Sequence, residues 1–77
     1  MGVLIEPKIK DIIITTDYLQ LQQLLKIIGI ISTGGEAKIY LANNPVKVNG
    51  EDENRRGRKL YPNDIIEVEG NKYRISK

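Results

Sequence analysis

The chain has 77 residues, of which 40% are hydrophobic and 29% are charged, a composition typical of one small globular domain. It contains no His, Cys or Trp, which excludes imidazole and thiolate metal sites, Cys or His nucleophiles and disulfide bonds. The formal net charge of +2 indicates no class of partner by itself. Because so short a chain forms a thin core, we expect no deep substrate pocket. Carboxylates, Lys and Tyr are the acid–base groups that remain, and we expect no metal, no cofactor and no enzymatic activity.

Residues 1–8 are expected to form a loose lead-in to a single domain of residues 9–77. β-Branched residues dominate positions 9–15 and two charged residues interrupt them, a pattern that predicts a strand at the edge of a sheet. The apolar run at residues 12–14 is too short for a signal-peptide core. Together with the lack of Cys, this favours a cytoplasmic protein without a membrane partner.

The first helix is the clearest local pattern in the sequence. Its start is predicted close after Asp17 or Gln20, and Gly29 stands where a helix commonly ends. Apolar residues recur between these points at the spacing of one helical face. They are Leu21, Leu24, Leu25 and Ile28.

A second, shorter helix is predicted to start at Thr33. Glu36 follows three residues later, which is the capping-box pattern of a helix start. The helix should end at Asn43 and Asn44, because Asn tolerates the left-handed conformation and Pro45 cannot continue a helix. It therefore spans three turns or fewer.

The remaining elements are predicted to be strands. Residues 46–48 alternate between apolar and polar, and the Asn-Gly pair at 49–50 predicts a tight turn. A return strand is predicted within residues 58–60, a turn at Pro62 and a terminal hairpin around the Gly-Asn pair at 70–71. The resulting order, β-α-α-β-β-β, predicts an α+β fold with two helices packed on a small, mostly antiparallel sheet.

Positive charge is concentrated in the last third of the chain. Residues 1–53 have a net charge of −2 and residues 54–77 have a net charge of +4. The densest part is formed by Arg55, Arg56, Arg58 and Lys59. Because the planar guanidinium fork suits phosphate oxygens, this segment favours phosphate binding. The alternative is a solvated hairpin loop, balanced in part by the acidic residues 51–53, which we interpret as a solvated rim.

Two further features could contribute to a binding surface. Residues 33–35 form either a simple turn into the second helix or an anion site made by free backbone N–H groups. Tyr61 lies beside the basic segment and is a candidate to contact a base or a ribose. Tyr40 and Tyr73 are predicted to pack in or around the core.

Several of these segments, taken in order, resemble a known family. The two helices followed by Val48-Asn49-Gly50, and then by Leu60 and Asn63-Asp64, resemble the RNA-binding domain named after ribosomal protein S4, also called the alpha-L motif. More narrowly, residues 33–38, 48–51 and 55–60 resemble the small stand-alone YaaA-type subgroup. The likeness covers about residues 10–70.

This resemblance implies a non-enzymatic protein that binds structured RNA, especially ribosomal RNA or ribosomal particles, with its two helices as the main RNA-facing surface. The chain has Gln20 and Gly34 where the family usually has Arg, so we expect cationic contacts to shift toward the second helix and the basic segment. We also expect a monomer without a small-molecule substrate. The expected RNA-binding residues are Lys26, Thr33, Gly34, Gly35, Lys38, Arg55, Arg56, Arg58, Lys59 and Tyr61.

A protein-interaction domain is the alternative hypothesis. The pattern Val-Asn-Gly followed by Leu-x-x-x-Asp-x-Ile also occurs in ubiquitin-like β-grasp folds. A β-grasp fold needs a β-hairpin before its helix, whereas a single strand and two consecutive helices are predicted here. The order of the elements therefore separates the two hypotheses.

Overall fold

The computed structural model describes residues 9–77, and the expected lead-in of residues 1–8 lies outside the described residues. The helices are α1 (Leu21–Ile27) and α2 (Gly34–Asn43). The strands are β1 (Ile9–Ile13), β2 (Leu19–Gln20), β3 (Val46–Val48), β4 (Glu51–Glu53), β5 (Lys59–Leu60), β6 (Ile65–Val68) and β7 (Asn71–Ser76). No helix within residues 9–77 has both the length and the apolar character needed to cross a membrane.

Five of the strands form one mixed sheet in the order β1-β7-β6-β3-β4. β1 is parallel to β7, and the other neighbours are antiparallel. This confirms the predicted α+β fold, the mostly antiparallel sheet and the position of the first strand at an edge. β2 and β5 form a separate two-stranded antiparallel ribbon.

The core lies between the helices and the sheet. α1 contributes Leu21, Leu24 and Leu25, which are fully buried, and α2 contributes Ala37 and Leu41. Each fully buried Leu is worth roughly 1.5–3 kcal/mol of transfer free energy. Tyr40 and Tyr73 pack against this core while partly buried, as predicted. The apolar stripe of α1 thus holds the start of that helix in a fixed position on the sheet.

The predicted helix ends are confirmed. α1 follows Gln20, and Gly29 has a φ of 81°, a left-handed conformation that glycine adopts without steric cost. At α2, the Thr33 hydroxyl oxygen accepts a hydrogen bond from the Glu36 backbone N–H over 3.3 Å. The Glu36 carboxylate accepts in return from the backbone N–H of Ser32, one residue before the expected partner.

Two predictions about the strands were wrong, one in the pairing partner and one in the position of a turn. The hairpin partner of β3 is the acidic β4 and not residues 58–60, because the two-residue turn at 49–50 pairs Val48 directly with Glu51. Lys59 and Leu60 pair with β2 instead. In the terminal hairpin, the turn residues are Glu69 and Gly70, one position earlier than predicted.

Candidate nucleic-acid interface

The basic segment lies in the loop that connects β4 to β5, residues 54–58, and at the start of β5. The loop closes on itself through a hydrogen bond from the Arg58 backbone N–H to the Arg55 carbonyl oxygen, at 3.1 Å. Two more of its backbone carbonyls accept hydrogen bonds from the start of α1. The Leu21 N–H donates to the Arg58 oxygen and the Gln22 N–H donates to the Arg56 oxygen, both at 2.9 Å.

These two bonds explain why the loop lies where it does. The first N–H groups of a helix have no partner within the helix, and here the basic loop supplies their acceptors. The arrangement fixes the loop backbone against α1, and the loop carries three arginine side chains with Lys59 following in β5. The predicted basic segment is therefore attached to a helix start and is not a free hairpin loop.

Arg56 connects the same loop to the second helix. Its Nη1 donates to the carbonyl oxygen of Gly34, the first residue of α2, over 3.0 Å. Lys38 is exposed four residues after Gly34, a rise of about 6 Å, on the same face of α2. The charge of Arg56 is therefore bonded to the first turn of α2, and Lys38 adds a second cation one turn along that helix.

Glu53 forms ion pairs with two other cationic residues of the basic segment, Arg55 and Arg58. Its side chain is only 7% exposed, and its oxygens accept from Nε and Nη2 of Arg55 and from Nη1 of Arg58, at 2.9–3.0 Å. It also accepts from the backbone N–H groups of Asn54 and Arg55. The hydrogen bond from the Arg55 side chain is the main cause that lowers the pKa of the Glu53 carboxyl to about 2, against the opposing effect of burial.

The burial of Glu53 corrects the expectation of an acidic solvated rim. Glu51 and Asp52 are exposed as expected, whereas Glu53 forms a buried ion-pair centre. Arg55 and Arg58 together with Glu53 carry a net charge of +1. Arg55 remains 72% exposed on its side chain, so part of its fork still faces solvent.

The remaining ion pairs show which cations have no acidic partner. Lys47 pairs with Asp52, Arg74 with Asp11 and Lys77 with Asp17. Within residues 9–77, the cationic side chains outside these pairs and the Glu53 cluster are Lys10, Lys26, Lys38, Arg56, Lys59 and Lys72. Four of them, Lys26, Lys38, Arg56 and Lys59, were predicted from the sequence as binding residues.

The structure brings most of the predicted residues together but not all of them. We call the surface formed by Gly34, Lys38, Arg55, Arg56, Arg58 and Lys59 the basic junction. Thr33 and Gly35 adjoin it at the start of α2, where the Glu36 carboxylate adds a negative charge. Lys26 lies in the last turn of α1, at the end of that helix opposite to the basic loop. Lys26 is therefore the predicted residue that the structure leaves outside the junction.

Tyr61 lies beside the junction and has an aromatic neighbour that the sequence did not indicate. The Tyr18 and Tyr61 rings are tilted by 52° with their centroids 6.0 Å apart. Lys59 Nζ lies 4.9 Å from the centre of the Tyr18 ring, within the range of a cation–π contact. Sequence reasoning missed Tyr18 because its proximity depends on the two-residue pairing of β2 with β5.

Comparison with known proteins agrees with this architecture. The family model of the S4 domain matches residues 12–76. The chain is 49% identical over 57 residues to the "Probable ribosome maturation protein RlbA" of Bacillus subtilis (strain 168), an alignment that covers 74% of this chain and 80% of that protein. The residues matched by the family model include the two helices, the basic loop and most of the sheet. This chain belongs to the S4 domain family.

Proposed function

We propose that this protein binds structured RNA, ribosomal RNA or ribosomal particles in particular, through the basic junction and without catalysing a reaction. One observation carries the proposal: the bond from Arg56 to the Gly34 oxygen joins the basic loop to α2. The same loop caps the start of α1. The loop that carries the three arginines is thus bonded to both helices, and Lys38 of α2 and Lys59 of β5 add two further cations.

The charge state of the junction suits a polyanion. Arg56 bonds a neutral carbonyl, so its charge is not cancelled, and Lys38 and Lys59 have no acidic partner among residues 9–77. Each such cation can neutralise one backbone phosphate and release its counterions. Phosphate contacts position a protein on a duplex without reading its sequence, so we expect shape to dominate over sequence preference.

The similar Bacillus protein supports the choice of ribosomal RNA. Its name describes a probable ribosome maturation protein, and from this we infer a ribosomal partner for this chain. The competing β-grasp hypothesis requires a hairpin before the first helix. Within residues 9–77, β1 pairs with β7 and β2 pairs with β5, so the two strands before α1 do not pair with each other. The element order therefore favours RNA binding.

The test is filter binding of ribosomal RNA fragments over a salt series. With about four to six phosphate contacts, log affinity should fall with log salt at a slope of roughly −3 to −5. The double variant Arg56→Gln with Lys38→Gln should bind more weakly and reduce the slope by about 2.

A charge-matched control is the double variant Lys10→Gln with Lys72→Gln. Lys10 and Lys72 lie on β1 and β7, at the edge of the sheet opposite to β4 and its loop. This variant loses the same charge but should keep the slope and most of the affinity. A salt-independent affinity, or equal losses in the two double variants, would refute RNA binding by the basic junction.

A further inference from the structure

The β2–β5 ribbon has two chemically different faces. Leu19 pairs with Leu60, and both side chains are buried in the core. Because successive side chains of a strand point to opposite faces, the positions on either side of this pair point outward. These outward positions are occupied by Tyr18, Gln20, Lys59 and Tyr61.

The outward face carries an aromatic pair with one ring accessible. Tyr61 is 49% exposed and lies opposite Tyr18, which is 36% exposed and has Lys59 over its ring. The backbone N–H of Tyr61 donates to an Asp64 carboxylate oxygen over 2.7 Å, which fixes the backbone from which the ring projects. Tyr40 and Tyr73, by contrast, pack against the core.

An open cleft of about 410 Å³ adjoins the Tyr61 ring, and its volume falls in the range of ligand-binding clefts, roughly 300–1,000 Å³. Its lining residues are Arg55, Gly57, Arg58, Lys59 and Tyr61. The lining therefore combines three cationic residues with one tyrosine. Cationic and aromatic side chains match the two parts of a nucleotide, the phosphate and the base.

We propose that this cleft is a subsite for one unpaired nucleotide of the bound RNA, an inference that rests on the proposed function. The base stacks on Tyr61, and its phosphate is paired by Lys59 and by the solvent-facing part of Arg55. Tyr18 supports the Tyr61 ring from the opposite strand. A paired base keeps both faces covered by its neighbours in the stack, so this aromatic surface selects a bulged or single-stranded position.

The test compares two RNA duplexes of the same sequence, one fully paired and blunt, the other with a single bulged 2-aminopurine nucleotide. The protein should bind the bulged duplex at least about 5-fold more tightly, since stacking of a base on an aromatic side chain is worth about 1–3 kcal/mol. In Tyr61→Ala the ratio of the two affinities should fall to about 1, and this ratio reports the loss of stacking separately from any general loss of binding. Tyr61→Phe keeps the ring and should keep the preference.

A second measurement needs no variant. The fluorescence of the bulged 2-aminopurine should be quenched when the wild-type protein binds, because the base moves onto the tyrosine ring. Equal affinity for the two duplexes, an unchanged preference in Tyr61→Ala, or unaltered 2-aminopurine fluorescence in the complex would overturn the nucleotide subsite and leave RNA binding intact. Failure of the wild-type protein to bind either duplex would overturn the proposed function as well.

Discussion

Arg56 Nη1 lies 3.0 Å from the carbonyl oxygen of Gly34, and this bond joins the basic loop to the first residue of α2. Its two neighbours in the loop, Arg55 and Arg58, donate to the buried Glu53 carboxylate instead. The loop thus contains two kinds of arginine. Two share a single carboxylate, and one holds the loop on α2 while keeping its full charge.

The first prediction separates stability from binding at Arg56. Arg56→Ala removes one exposed hydrogen bond, so the free energy of unfolding should fall by only about 0.5–1.5 kcal/mol. RNA affinity should fall by more, because a phosphate contact is lost as well. Arg56→Lys keeps the charge and should retain most of the salt slope. Urea unfolding and filter binding of the same samples test this, and an Arg56→Ala variant with unchanged affinity would contradict it.

The low pKa of Glu53 predicts that the free energy of unfolding falls over a defined range of acidic pH. Its folded pKa of about 2 lies below the ordinary value of about 4.3 in an unfolded chain. The ion pairs therefore contribute fully above about pH 4.5, and the contribution is lost as the pH falls toward 2. The shift corresponds to at most about 3 kcal/mol, and the solvent exposure of Arg55 reduces the expected contribution to about 1–2 kcal/mol.

Glu53→Gln tests this assignment. The variant should be less stable at pH 7 by about 1–2 kcal/mol and should lose less stability than the wild type between pH 5 and pH 2. Asp11→Asn is a suitable comparison, because Asp11 forms an exposed ion pair with Arg74 on the other edge of the sheet. Chemical unfolding of the two variants and the wild type, repeated across this pH range, measures these stabilities. If Glu53→Gln and the wild type lose equal stability between pH 5 and pH 2, Glu53 is not the cause of the pH dependence.

The sequence predicts the parts of this fold that depend on neighbouring residues. Thr33 with Glu36 marks the start of α2, and the Asn-Gly pair at 49–50 marks a two-residue turn, because both signals act within four residues. The burial of Glu53 could not be predicted in this way. Acidic residues are depleted in strands, and Glu53 is buried only because Arg55 and Arg58 fold back onto it.

In the candidate interface, too, some features have a local sequence signal and others depend on residues distant in the chain. The basic segment is visible as a run of charges, but its attachment to both helix starts depends on bonds between residues more than 20 positions apart, such as Arg56 and Gly34. Tyr18 carries no local signal at all. It reaches Tyr61 through the β2–β5 ribbon, and each of these strands is only two residues long.

The next prediction concerns Asn49 and Asp64, two residues of the motif that resembles the S4 family. The Asn49 side chain donates to Asp64 Oδ1 at 3.0 Å and accepts from the Ile65 N–H at 2.9 Å. Asn49 also has a φ of 53°, a conformation that Asn tolerates better than Ala. Asn49→Ala should therefore lower the free energy of unfolding by about 1–3 kcal/mol.

A double-mutant cycle with Asp64→Ala checks that the two residues act together. The coupling energy should be about 0.5–1.5 kcal/mol, because each single variant already breaks the shared bond. Denaturant unfolding of the two single variants and the double variant gives this value. Strictly additive losses would show that Asn49 stabilises its own turn and does not connect it to Asp64.

The last prediction tests whether the start of α2 receives a phosphate. A Cβ at Gly35 would lie 3.9 Å from the Thr33 hydroxyl oxygen, an ordinary contact, and Ala has a higher helix propensity than Gly. Gly35→Ala should therefore stabilise the protein by about 0.5–1 kcal/mol. Gly34→Ala should gain less, since its Cβ would stand 2.9 Å from the Gln22 side-chain oxygen, which must move.

RNA binding should change in the opposite direction. If a phosphate approaches the free N–H groups at this helix start, the added methyl group of Gly35→Ala obstructs it and should weaken binding about 3- to 10-fold. A loss of affinity in a more stable protein cannot result from unfolding. Asn43→Ala, at the last residue of α2, is the control, because it raises helix propensity away from the junction and should leave affinity unchanged. Thermal unfolding measures the stability of these variants, and filter binding measures their RNA affinity. Unaltered RNA affinity in Gly35→Ala would exclude a phosphate at this position. Binding would then involve only the side chains of the basic junction.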